Sequence, residues 1–138
     1  MDKALNFLAL AKKARLAELG EEPVGAITRT GKGYLVMVAS DASDHTWRRA
    51  KSFVAGTEQQ CIRLPFTKDE LGFVVGRTSL AIAAFTDVAL ALAFVKALPD
   101  QEKVKKEAEF LEAKSKKMRQ RKKEADAHKK NVRFGKKK

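Results

Sequence analysis

AKKARLAELGEEPVGAITRTGKGYLVMVASDAS, residues 11–43, is the stretch on which the reading of the fold turns. It opens on the basic end of a helix (Lys12, Lys13, Arg15) and passes through Leu16 to Leu19, long enough only for a short edge strand. Gly20 permits the turn into a second helix, and Pro23 suits the first turn of that helix, where a missing amide hydrogen costs nothing. Val24 and Ile27 give it a thin apolar face until Gly31 stops it. Gly33 to Ala39 is a continuous apolar run, the pattern of a strand covered on both faces. Ser40 to Ser43 then offers two candidate caps for a third helix. This order is expected to gather backbone amides and cations on one rim.

The flanking sequence follows the same grammar. Asp2 can cap a first helix in which Ala4, Leu5, Leu8 and Ala11 fall at helical spacing. The third helix carries Trp47, Ala50 and Val54 inward and Arg48, Arg49 and Lys51 outward, and Gly56 closes it. Residues 61–64 alternate as a short edge strand ended by Pro65. Thr67-Lys68-Asp69-Glu70 is a capping box for a helix bearing Leu71, Val74 and Val75 and ending at Gly76. Residues 80–98 are nearly all apolar and about as long as a bilayer span. Asp87 near their middle divides them instead into a buried strand (80–85) and a capped helix whose inward stripe is Leu90, Phe94, Ala97 and Leu98. Strands alternating with helices predict an α/β fold, a three-layer α/β/α sandwich with a mixed central sheet.

Pro99-Asp100 marks the expected boundary between a domain of residues 1–98 and a basic extension, residues 99–138. Val104, Ala108, Leu111 and Met118 recur at helical spacing, so the extension is helical or disordered, and KKNVRFGKKK (129–138) is expected to be disordered in isolation. Of the formal charge of +12, residues 1–99 carry 13 Lys/Arg against 10 Asp/Glu, a net of +3, and residues 100–138 carry 16 against 7, a net of +9. Such a field attracts polyanions, nucleic acid above all, with affinity falling as salt rises. A membrane-surface role needs an apolar face beside the charge, which the 104–118 stripe scarcely supplies. Cys61 is alone, which excludes an internal disulfide and fits a reducing cytoplasm. The N-terminal apolar run is too short and too soon followed by lysines for a secretory signal.

Three blocks carry a resemblance: Lys12-Lys13-Ala14-Arg15 leading to Gly20-Glu21-Glu22; Tyr34 through Ser43; and Phe66-Thr67-Lys68-Asp69-Glu70-Leu71-Gly72. In that order and spacing, residues 1–98 resemble the bacterial YlxQ-type branch of the kink-turn-binding ribosomal protein family, the seven-Ae family. The resemblance implies a small α/β/α domain that binds structured RNA. It also implies that Gly20 is the glycine opening the second helix, that Glu21 and Glu22 occupy the polar positions reaching the sheared base pairs, and that Arg77, Thr78 and Ser79 lie in the loop against the flipped-out nucleotide. Where the family continues with a lysine and Ala-Ile, this chain has Pro23-Val24-Gly25-Ala26-Ile27, one residue shorter and without the lysine.

The candidate RNA contacts are therefore Lys12, Lys13, Arg15, Gly20, Glu21, Glu22, Arg29, Lys32, Gly76, Arg77, Thr78 and Ser79. A helix start is a standing anion site, and a rim of amides and cations suits an RNA bulge or loop. The expected partner is RNA of ribosomal kind, with the ribosome itself behind it and no membrane; the oligomeric state is left open. The rival reading is a protein-interaction module of ribosome assembly or translation whose basic tail alone touches RNA. An enzyme is disfavoured: no nucleophile with a paired base and no Gly-x-x-x-x-Gly-Lys loop occurs. Glu21-Glu22 and Asp41-Asp44 sit at helix starts, where capping accounts for them, and His45 and His128 lack partners at ligand spacing, so no metal, cofactor or catalytic residue is expected. Trp47 reads as core and Arg48, Arg49 and Lys51 as a solvated face.

Overall fold

The computed structural model describes residues 2–134, with side chains through residue 125. The elements follow in the order α1 (Lys3–Lys13), β1 (Ala17–Leu19), α2 (Glu21–Arg29), β2 (Leu35–Val38), α3 (Asp44–Val54), β3 (Gln60–Arg63), α4 (Lys68–Val74), β4 (Ile82–Phe85), α5 (Val88–Lys96) and α6 (Lys105–Phe134). Local chemistry sets most of their starts. Asp2, Ser43, Thr67 and Asp87 each accept a backbone amide of the helix they precede, and Glu70 returns the bond at Thr67 to complete the capping box.

The four strands form one sheet in the order β1-β4-β2-β3. β4 runs antiparallel to β1 and β2, while β2 and β3 are parallel, so the sheet is mixed. The central strands β2 and β4 are buried at every position, which explains their unbroken apolar runs, Leu35-Val36-Met37-Val38 and Ile82-Ala83-Ala84-Phe85. Helices α2 and α3 pack on one face, and α1, α4, α5 and α6 form the layer on the other. This is the three-layer α/β/α sandwich expected from the sequence. Phe85 and Phe94, both fully buried, meet with ring centroids 5.0 Å apart at 51° between the β4 and α5 layers.

Two expectations are corrected. The buried residues of α5 are Val88, Ala91, Phe94 and Val95, whereas Leu90 and Ala97 are only half-buried. The helix lies on the sheet between α1 and α6, so it is covered over a wider arc than a single stripe. Trp47 is only partly core: it packs against the core but is half-buried, with the Arg63 guanidinium 5.2 Å and the Lys51 ammonium 5.4 Å from its ring centre.

The residues beyond Pro99 pack on the sandwich, with Val104 and Leu111 in its core. Val104, Leu111 and Ser115 are buried and Ala108 is half-buried, placing the first three turns of α6 against α5. Lys96 and Glu112 link the two helices at 3.5 Å. At 30 residues α6 is about 45 Å long, so its second half runs on beyond these contacts. Of the stretch expected to be disordered, 129–134 continue the helix and 135–138 lie outside the described residues.

Candidate functional site

The register of the sheet decides which chain segments meet. Leu19 pairs with Ala83, and the Gly20 amide donates to the Ile82 carbonyl at 2.9 Å, so α2 begins at the end of the sheet where β4 enters. The loop of residues 76–79 leads into β4 and lies at the same end. Gly20 has φ +101°, a conformation that L side chains rarely adopt, and a Cβ built there would stand 3.8 Å from Arg77 Nη1. The structure thus brings Arg77 beside Gly20, with Glu21 and Glu22 next along α2 and Gly76, Thr78 and Ser79 flanking Arg77 in its loop.

This helix start differs from its neighbours. Of α1 to α5, α2 alone has no side-chain cap. Glu21 and Glu22, the first two residues of the helix, have amides with no carbonyl a turn behind them, and Pro23 has no amide hydrogen to present. Two donors therefore face outward beside a guanidinium. The Glu21 carboxylate does not oppose this, because Arg49 Nε holds it at 3.2 Å while the Arg49 guanidinium lies 4.9 Å from the Phe53 ring centre. Glu22 is exposed.

The position of Arg77 is enforced from behind. The Arg77 amide donates to the Gly72 carbonyl at 2.8 Å, and Leu80 N donates to the Lys68 carbonyl at 3.0 Å, so the loop folds back along α4. A Cβ at Gly72 would lie 2.8 Å from the Arg77 carbonyl oxygen and 2.8 Å from the Ser79 amide nitrogen. Only glycine lets the loop lie this close. Asp41 ties the start of α4 to the end of β2 by accepting the Lys68 amide at 2.8 Å.

Lys12, Lys13 and Arg15 do not join this rim. Ala17 pairs with Phe85, at the opposite end of β4 from Ile82, and the carbonyl of Leu16 accepts the Thr86 amide at 2.8 Å. β1 thus separates the α1 cations from Gly20 by its full length. Arg29 and Lys32 are at that far end too, since β2 begins at Leu35, which pairs with Phe85 from the other side. The candidate residues expected on a single rim fall instead into two groups at opposite ends of the sheet.

Sequence reading passed over three residues that shape the Gly20 end. Gly72 is legible as a glycine inside a helix, a costly placement unless something packs against it. Arg49, read as part of a solvated face, is drawn to Glu21 because α2 and α3 are neighbours on one face of the sheet. Arg63, at the end of β3, donates to the Ala42 carbonyl at 3.2 Å and covers Trp47.

Among the described residues, no group of three or more His, Cys, Asp or Glu side chains could hold a metal ion, and no helix is long and apolar enough to cross a membrane. Burial pushes the Cys61 thiol up to about 12; Lys51 works against the shift and Glu107 adds to it. A cavity of about 220 Å³ lies between Tyr34, Gln59, Phe110 and Lys114, at the far end from Gly20. Its one buried polar side chain, Gln59, is satisfied by the Gly33 amide, the Thr28 carbonyl and the Thr57 hydroxyl.

No family model matches the chain. Over 75 residues, which are 54% of this chain and 72% of the relative, it is 35% identical to the Enterococcus faecium protein named RNA-binding protein YlxQ. The chain belongs to the YlxQ family. The YlxQ-type fold recurs in a Bacillus halodurans protein of unknown function, with a TM-score of 0.67 at 23% identity over 72% of this chain and 100% of that one. A Giardia lamblia 15.5kD RNA binding protein shares it with a TM-score of 0.51 at 18% identity, over 67% of this chain and 79% of that one. At these identities the two structures speak for the fold alone, whereas the Enterococcus relative ties the chain to its family.

Proposed function

We propose that this YlxQ-family chain is a cytoplasmic RNA-binding protein that recognises a structured RNA, a kink-turn-like or ribosomal element, and works on the ribosome or in its assembly. The observation that carries the reading is the uncapped start of α2 with Arg77 beside Gly20. The name of the Enterococcus relative supports it, as does the RNA-binding description of the Giardia protein that shares the fold.

The chemistry follows from the donors. The amides of Glu21 and Glu22 meet a phosphate or a base-edge acceptor at the positive end of the α2 dipole. Arg77 supplies a charge-assisted bidentate contact or a flat surface for an unstacked base, and the exposed Thr78 and Ser79 hydroxyls reach sugar 2′-hydroxyls. Glu22 accepts from base amino groups and penalises an unbent duplex, whose phosphates would lie against it. The loop's backbone is fixed by Gly72, so these groups are positioned before RNA arrives. No bond is made or broken in this role.

Two features favour the rival reading of a protein-docking domain: α2 has no lysine, and Phe73 is 76% exposed on α4, on the other face of the sheet. Gel shifts with ribosomal RNA fragments against a plain duplex at physiological salt separate the two. The RNA reading expects the full chain to prefer a bulged fragment, Arg77→Ala to lose that preference, and a chain cut after Ser115, which keeps the packed turns of α6 and removes 12 of the 16 Lys/Arg of residues 100–138, to keep it. Should the truncation abolish all RNA binding while Arg77→Ala changes nothing, the docking reading stands instead.

A further inference from the structure

We propose that the end of the sheet opposite Gly20 is a second, separate surface that binds the phosphodiester backbone of RNA. Phe85 organises it: Ala17 pairs with this residue from one side and Leu35 from the other, so the segments before β1 and before β2 emerge side by side. The first brings Lys12, Lys13 and Arg15 from the end of α1, and the second brings Arg29 and Lys32 from the end of α2; all five are exposed. The third contribution comes from α6, where Arg119 and Lys122 line a hollow with Asp87, Val88 and Ala89, the residues just beyond Phe85. Among the described residues, none of these cations enters an ion pair. Of the acids at this end, Asp87 accepts the Leu90 amide at 3.0 Å, Glu58 holds Lys114 at 3.4 Å, and Glu18 follows Ala17 in β1. Three segments thus bring their cations to one end, where no ion pair among the described residues neutralises them.

Arg15 supplies a second, independent observation. Among the described residues it alone of the non-glycine residues has positive φ, +62°, at the position following α1 where a helix ordinarily places glycine. The chain keeps a guanidinium where glycine would be more stable. Cations at helix ends do favour the helix dipole, but a dipole does not require a strained backbone to hold one, and Lys12 and Lys13 already meet it.

A regular polyanion is the occupant that uses several unpaired cations at once, without needing a pocket or an apolar anchor. That the polyanion is RNA rests on the proposed function; the surface itself rests on the register. With the Gly20 rim at the other end, the protein would hold a folded element at one end and a flanking helix, or a second RNA, at the other.

The probe is a 20-base-pair RNA duplex without bulges, titrated with the full chain across a range of salt. Replacing Lys12→Gln, Lys13→Gln and Lys32→Gln together is expected to make the slope of log affinity against log salt shallower by about 2–3 and to weaken binding at least tenfold at about 0.15 M salt. Arg48→Gln, on the solvated face of α3, is expected to leave that slope within about half a unit. Arg15→Gly is expected to raise the melting temperature by about 3 °C while weakening duplex binding, two changes that a purely structural arginine would not combine. An unchanged slope in the triple variant overturns the proposal. So does a triple variant that loses binding only to phosphatidylserine vesicles and not to the duplex. If the bulged-RNA preference is absent while the slope still changes, the Gly20 reading falls and this surface remains.

Discussion

Gly72→Ala tests the central structural claim, because local and tertiary reasoning predict opposite signs. In an open helix the change would stabilise by about 1 kcal/mol, since alanine has the better helix propensity. Here the new methyl would stand 2.8 Å from the Arg77 carbonyl oxygen, 2.8 Å from Ser79 N and 2.9 Å from Ser79 Cα. All three are backbone atoms, so no side chain can swing aside and the loop itself must move. Overpacking of this kind costs roughly 1–3 kcal/mol, and the Arg77 to Gly72 hydrogen bond, worth about 1 kcal/mol, is distorted as well. After the helix gain of about 1 kcal/mol is subtracted, a net loss of about 1–3 kcal/mol is expected, read from urea unfolding as a lower midpoint at unchanged slope. The displaced loop carries Arg77 away from Gly20, so affinity for a bulged RNA should fall about tenfold, equivalent to about 1.4 kcal/mol. Gly56→Ala is the control: its φ is +75° but nothing lies within 4 Å of the added methyl. It should cost about 1 kcal/mol of backbone strain and leave RNA binding alone. A Gly72→Ala protein as stable as the parent or more so, with RNA affinity intact, would refute the account of how the loop is held.

Leu111→Ala should destabilise by about 2–5 kcal/mol and strip hydrogen-exchange protection from the first turns of α6, because that side chain is 1% exposed in the core; protection unchanged across 105–115 would show that the helix does not depend on it. Asp87→Ala removes the cap on the Leu90 amide and should cost about 1 kcal/mol by the same unfolding measurement. Cys61, raised from 9.0 to about 12, should react with iodoacetamide at pH 8 roughly a thousandfold more slowly in the native protein than in urea. Because the folded value is the higher one, stability is full below pH 9 and declines between pH 9 and about 12 as the unfolded chain loses its thiol proton first. Cys61→Ala should flatten that decline, and an equally steep decline in the variant would place its cause elsewhere.

The local grammar of this protein could be read from the chain. Each of the caps Asp2, Ser43, Thr67 and Asp87 acts on an amide two or three residues away, and the glycines at 31, 56 and 76 take positive φ where the helices before them end. Unbroken apolar runs marked β2 and β4 as central, and the short β1 and β3 as edges, because burial on two faces leaves no polar position to alternate. Such signals act over a few residues, and sequence carries them whole. Which ends meet is different. Whether Arg15 or Arg77 stands beside Gly20 depends on the pairing of Leu19 with Ala83 and of Ala17 with Phe85, contacts more than sixty residues apart that no local pattern encodes. The same holds for Gly72, whose missing side chain matters only because a loop returns to it, and for α6, whose half-apolar stripe becomes an anchored helix only against α5. Sequence alone determined the elements and the charge they carry, through short-range hydrogen bonding and periodic burial. Tertiary structure decided that the charge divides between two ends, because the span and register of the strands set where each helix terminus emerges.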